Sequence, residues 1–121
     1  MKVKLIKNPN KVKKFRAVLE DGRTVDFGLR GYSDYTRHQN PLRMRSYVSR
    51  HAGKIPASVM KETDPKKVHR SMLRVANSNR ESWGIKGVDT AGFWSRWLLW
   101  SAPTLSGAKR VISNKFNIVF T

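Results

Sequence analysis

The chain has 121 residues, enough for one domain around a modest hydrophobic core, and no cysteine, which excludes disulfides, cysteine-ligated zinc and thiol nucleophiles. It carries 25 Lys and Arg against 8 Asp and Glu, a net charge of +17 spread as +10 over residues 1–60 and +7 over residues 61–121. So much self-repulsion disfavours a compact body unless something acidic is near, which points to a polyanionic partner: nucleic acid, an anionic membrane face, or acidic neighbours in an assembly.

The opening MKVKLIKNPNKVKK has neither the apolar stretch of a secretory signal nor a glycine after Met1, so a non-secreted protein is expected. Within it, KVKLI (2–6) sets Lys2 and Lys4 against Val3 and Leu5, the period of a strand with one wet face. NPN (8–10) is a turn, and KKFRAVLEDGRTVDFGL (13–29) reads as a hairpin. Phe15, Ala17 and Leu19 share a face of its first strand and Val25, Phe27 and Leu29 a face of its second. Only an odd-numbered loop keeps both sets on one side. The loop Glu20-Asp21-Gly22, with Gly22 left-handed, satisfies this and pairs Phe15 with Phe27 and Ala17 with Val25.

GYSDYTRHQ (31–39) reads as an ordered loop, with Tyr32 and Tyr35 as candidate docking or core aromatics. Asn40 then caps a helix that has Pro41 in its first position, an apolar stripe of Met44, Tyr47, Val48 and His51, and Gly53 as its stop. Arg43, Arg50 and Lys54 flank that stripe. Residues 55–64 read as a connector. Asp64-Pro65 opens a second helix running to about Asn79, with Val68, Met72, Val75 and Ala76 inward and Lys66, Arg70 and Arg74 outward. Between Arg37 and Arg80 lie 11 basic residues and 2 acids, which makes this region, with Lys2, Lys4, Lys13 and Lys14, the expected polyanion-binding surface.

Residues 82–92 hold three glycines and should be irregular, with Asp89 or Thr90 capping the next helix. GFWSRWLLW (92–100) holds three of the four tryptophans. Between Ala91 and Ala102 it is far short of the roughly 20 apolar residues of a membrane span, and Arg96 interrupts it. Phe93, Trp97 and Trp100 share one helical face and Trp94 and Leu98 the next, so the helix is apolar nearly all round, as buried helices are. Core is therefore the first reading of Trp83, Phe93, Trp94, Trp97 and Trp100. A docking face ranks second, and base stacking third, since single-strand binders interleave aromatics with cations. Thr104 caps a short helix (105–114), and FNIVF (116–120) is a closing strand able to join the N-terminal sheet. The expected fold is a single α+β domain: a small antiparallel sheet, three to four helices and a C-terminal strand.

Catalytic and metal chemistry find no constellation. His38, His51 and His69 are spaced 13 and 18 apart, with no compact metal-ligand motif, and the acids are scattered through turns and caps. Neither a Walker loop nor a recognised nucleic-acid module is present. The reading is non-enzymatic, with no cofactor, no metal and no small-molecule substrate.

Four blocks, GYSDYT (31–36), YVSRH (47–51), ESWG (81–84) and TAGFWSRWLLW (90–100) followed by Pro103, resemble a family of short, basic, uncharacterised proteins encoded by large nucleocytoplasmic DNA viruses of algae and protists. The family pattern places the RH and ExW blocks close together, so Lys54–Asn79 looks like an insertion. The resemblance implies a virion protein assembled in the host cytoplasm. The role expected is a minor capsid protein bridging other capsid proteins, an anionic inner membrane or the genome. The alternative is a sequence-nonspecific DNA-binding core protein that neutralises packaged genomic DNA.

Overall fold

The computed structural model describes residues 1–121. Its sheet begins where the charge alternation does: β1 (Lys2–Lys7) buries Val3 and exposes Lys2 and Lys4. β2 (Lys13–Val18) and β3 (Thr24–Leu29) form the hairpin, with Phe15 opposite Phe27 and Ala17 opposite Val25, as parity requires. Leu19 N–H donates to Arg23 O at 2.8 Å and closes the three-residue loop, in which Gly22 takes a φ of 90°. One assignment fails at the other end of the hairpin. Leu29 is exposed rather than inward, because Gly28 adopts a φ of 78° just before it and turns the strand's end. Gly28 is also a place of close approach: a Cβ there would stand 3.0 Å from Leu99 Cδ1.

β1 pairs antiparallel with β2 and parallel with β4 (Val119–Phe120), giving the order β3-β2-β1-β4. The closing strand does join the sheet, but only over two residues. Phe116 stays helical, packed 4.9 Å from Phe93 and 5.4 Å from Trp97, and Asn117 then turns left-handed at a φ of 57°.

The helices start where their caps are. Asp34 accepts from Thr36 N–H and opens α1 (Tyr35–His38), so the stretch 31–39 is a loop with a helical turn in it. Asn40 caps α2 (Pro41–Ala52), Asp64 caps α4 (Pro65–Leu73) and Thr104 caps α6 (Leu105–Phe116), each through its side-chain oxygen. The connector 55–64 contains a short helix, α3 (Ala57–Lys61), whose end is held by Arg45 Nη1 donating to Val59 O and Glu62 O. Pro41 and Pro65 line one hollow, while the residues after α4 bond to the last turn of α2 (Ser78 Oγ to His51 O, Asn79 N to Ala52 O). The two helices therefore run in the same direction, with α3 on the return path.

After a 3₁₀ turn (Ile85–Gly87), Thr90 caps α5 (Ala91–Trp94), which widens into a π-helical segment over Ser95–Leu99. This aromatic stretch is core. Phe93, Trp94, Trp97 and Leu98 are fully buried, and Trp83 and Leu99 nearly so. Trp94 stacks on Phe27, which stacks on Phe15, so the aromatic helix seals one face of the sheet. The indole N–H groups of the three buried tryptophans are satisfied: Trp94 on Val88 O, Trp97 on Trp83 O and Trp83 on Glu81 Oε1. Trp100 is half-buried, stacked nearly parallel on Tyr47 at 4.4 Å.

Candidate polyanion-binding surface

Arg96, the one charge in the aromatic stretch, is wholly buried. Its guanidinium lies 4.5 Å from the centre of the Trp97 ring and 5.3 Å from that of Trp83. Nη1 donates to Trp100 O at 2.6 Å, and Nη2 to Met72 O at 2.6 Å and Val75 O at 3.0 Å, while Nε has no partner. No carboxylate reaches it, and burial lowers its pKa to about 10, still ionised at neutral pH. This contact explains why α4 stops at Leu73 rather than near Asn79. At its end Met72 O accepts from both Val75 N–H and Arg96, and Val75 O just past it from Arg96, so the chain past residue 73 need not continue the helical ladder. Arg96 is therefore a structural cation, and it takes no part in the surface charge.

The remaining cations outnumber what the protein can neutralise. Only Lys14, Arg16, Arg23 and Lys67 reach a carboxylate: Asp34, Asp26, the pair Asp21 and Asp89, and Glu62 respectively. Asp26 is held below its usual pKa by its hydrogen bonds from Arg16, and Asp21 by those from the backbone and side chain of Arg23. Asp64 is engaged at the α4 cap and Glu81 on Trp83.

Most of the cations proposed for binding keep that availability. Lys2 and Lys4 on β1, Arg43 and Arg50 on α2, Lys54 beyond it, and Lys66, Arg70 and Arg74 on α4 are exposed and without an acidic partner. Arg70 and Arg74 share a shallow groove of about 260 Å³ with Lys67, and Lys66 and Arg70 line a hollow of about 390 Å³ beside His69 and Tyr35. Two members differ. Lys13 is half-buried, and Lys14 is spent inside the protein, its Nζ donating to Asp34 Oδ2 at 2.8 Å and to Tyr32 O. The docking aromatics also divide, since Tyr35 is buried and Tyr32 is 67% exposed.

The sequence missed a second group of cations, because they come from separate elements. Lys7 at the end of β1, Arg30 after β3 and Arg37 on α1 line an open cleft of about 450 Å³ together with Lys14 and Asp34. The only local signal was Asp34 followed by Thr36, the side-chain-to-backbone turn that folds α1 over this end of the sheet.

The histidines are packed into an aromatic chain. His51 stacks on Tyr47, Tyr47 on Trp100, and Trp100 meets His38; Tyr35 touches both His38 and His69. Each Nδ1 is already engaged: His51 by Tyr47 O, His69 by Tyr35 Oη, and His38 by Asn40 N–H. Burial lowers the pKa of both His38 and His69. No three His, Asp or Glu side chains gather as a metal-binding group, and no helix is long and apolar enough to cross a membrane.

Residues 3–51 match a family of unknown function (DUF5754). The matched stretch runs from β1 to the last turn of α2 and includes every cleft residue named above. No curated protein and no solved structure matches the chain.

Proposed function

We propose that the protein is a non-enzymatic structural component of a large-DNA-virus particle whose basic surface is neutralised by a polyanion, with the phosphate backbone of packaged DNA as its principal partner. The observation that carries this is the division between inside and outside. The aromatic block, which as an exposed face would serve docking, is core, so the surface presents chiefly unpaired cations. Exposed Arg and Lys on β1, α2 and α4 suit phosphate contacts, which fix position without reading sequence. The resemblance of the GYSDYT and TAGFWSRWLLW blocks supports the viral setting.

A minor-capsid role is the second reading. Val12, Leu29 and Tyr32 favour it: all are exposed, and they are joined at the open end of the hairpin by Arg30 N donating to Val12 O and Tyr32 N to Leu29 O. That apolar spot among cations would suit an acidic protein neighbour.

Duplex binding by the purified protein tests the proposal. Two unrelated 30-base-pair sequences should bind with equal, sub-micromolar affinity at low salt. Absence of binding at low salt, or a strong preference for one sequence, would overturn it.

A further inference from the structure

We propose that the cleft between the open end of the hairpin and α1 is a nucleotide-binding site, taking one phosphate-bearing unit of a nucleic-acid strand. This rests on the polyanion reading and gives it a specific location. The cleft, of about 450 Å³, is in the size range of small-ligand sites. Of its cations, Lys14 is cancelled by Asp34, which also accepts from Thr36 N and Thr36 Oγ1. That leaves Lys7, Arg30 and Arg37 with no carboxylate, three positive charges around one opening.

Arg30 is held in place before any ligand arrives. Its Nε donates to Lys13 O and its Nη2 to Asn8 O, both at 2.8 Å, and Asn8 is itself buried and braced on Phe15 O. Its Nη1 has no protein acceptor and is available to a phosphate oxygen. A guanidinium so fixed loses little freedom on binding, which favours directional, charge-assisted contacts. Lys7 and Arg37, both exposed, supply further charge in the same cleft.

Beside the cations, Asp34 and Thr36, part of the wall is apolar. Phe15 and Leu105, both half-buried, line the same cleft. A bare inorganic anion has no use for them, whereas the base or sugar of a nucleotide would cover them while its phosphate meets the cations. The α4 groove lacks this combination: it has cations but no apolar wall.

The test is a titration of the ¹⁵N-labelled full chain with thymidine 5′-monophosphate, followed by amide shifts. Saturable changes at Gly31, Thr36 and Arg37 are expected. Lys7→Gln with Arg37→Gln, at side chains that hold nothing in the fold, should weaken them about tenfold or more through loss of charge-assisted contacts. Arg70→Gln with Arg74→Gln should leave them unchanged, and inorganic phosphate should perturb the same amides more weakly. Shifts that are absent, that fall equally in both double variants, or that phosphate reproduces in full would overturn the proposal. Duplex binding measured beside it separates the two readings. Intact duplex binding without nucleotide shifts sinks the cleft alone, and lost duplex binding sinks the wider reading.

Discussion

Arg96→Met is the perturbation that the interior predicts most sharply. The substitution keeps a long, flexible side chain between Trp83 and Trp97 but removes the donors to Trp100 O, Met72 O and Val75 O. A buried carbonyl left without a partner costs about 1–3 kcal/mol. Met72 O keeps the N–H of Val75, so the carbonyls stranded are those of Trp100 and Val75, a gross loss of about 2–6 kcal/mol, part of which is given back by relief of the desolvated charge. Because Arg96 has no carboxylate to strand, the net expectation is a loss of about 1–3 kcal/mol, a sizeable share of the roughly 5–15 kcal/mol that holds a domain together. Arg96→Lys should fall in the same range, since a single ammonium cannot span carbonyls from both α4 and the π segment. The assay is equilibrium unfolding in urea by tryptophan fluorescence. An Arg96→Met protein as stable as the parent would refute the assignment of this guanidinium as the clamp between α4 and the aromatic helix.

Three further outcomes follow from the same geometry. Trp97→Ala should cost about 3–5 kcal/mol in the same assay, because a fully buried indole is lost along with its bond to Trp83 O; unchanged stability would return this helix to the surface. Stability should fall on acidification. His38 and His69 have folded-state pKa values below 6.5, so the unfolded chain takes up protons first. Their contribution is complete above pH 6.5 and is lost as pH drops from there through the folded values, separately from the carboxylate window below pH 3.8. Protonating His38 also removes the acceptor for Asn40 N–H at the start of α2. Melting temperature from pH 7.5 to 5 reads this directly, and a flat profile would contradict it. Arg70→Glu with Arg74→Glu should keep the melting temperature while weakening duplex binding, since both side chains are exposed and hold nothing in the fold. Unaltered affinity would place the duplex contacts off α4.

What the sequence revealed was local or governed by parity. The hairpin register followed from which residues must share a face, and the starts of α2, α4 and α6 from Asn40, Asp64 and Thr104, because a cap acts within three residues of itself. The burial of the aromatic stretch followed from a helix with no polar side. What escaped was decided at long range. The end of α4 depends on Arg96, more than twenty residues away in the chain. The shortened closing strand depends on Phe116 preferring Phe93 and Trp97 to the sheet. The loss of Lys14 from the binding surface required knowing that Asp34 would be buried against it, and the cleft required knowing that α1 folds over the hairpin's open end. Leu29 was misplaced because alternation does not register a left-handed glycine inside a strand. Of the candidate site, the exposed cations on β1, α2 and α4 were legible as composition and helical phase. Their convergence elsewhere was not.

The surface charge is there to be cancelled from outside, and the salt dependence of duplex binding tests this most directly. Fluorescence anisotropy across a range of salt concentrations should give a straight line of log affinity against log salt, with a slope of about −5 if six phosphates are neutralised. A slope near zero, or affinity that survives undiminished in high salt, would contradict it.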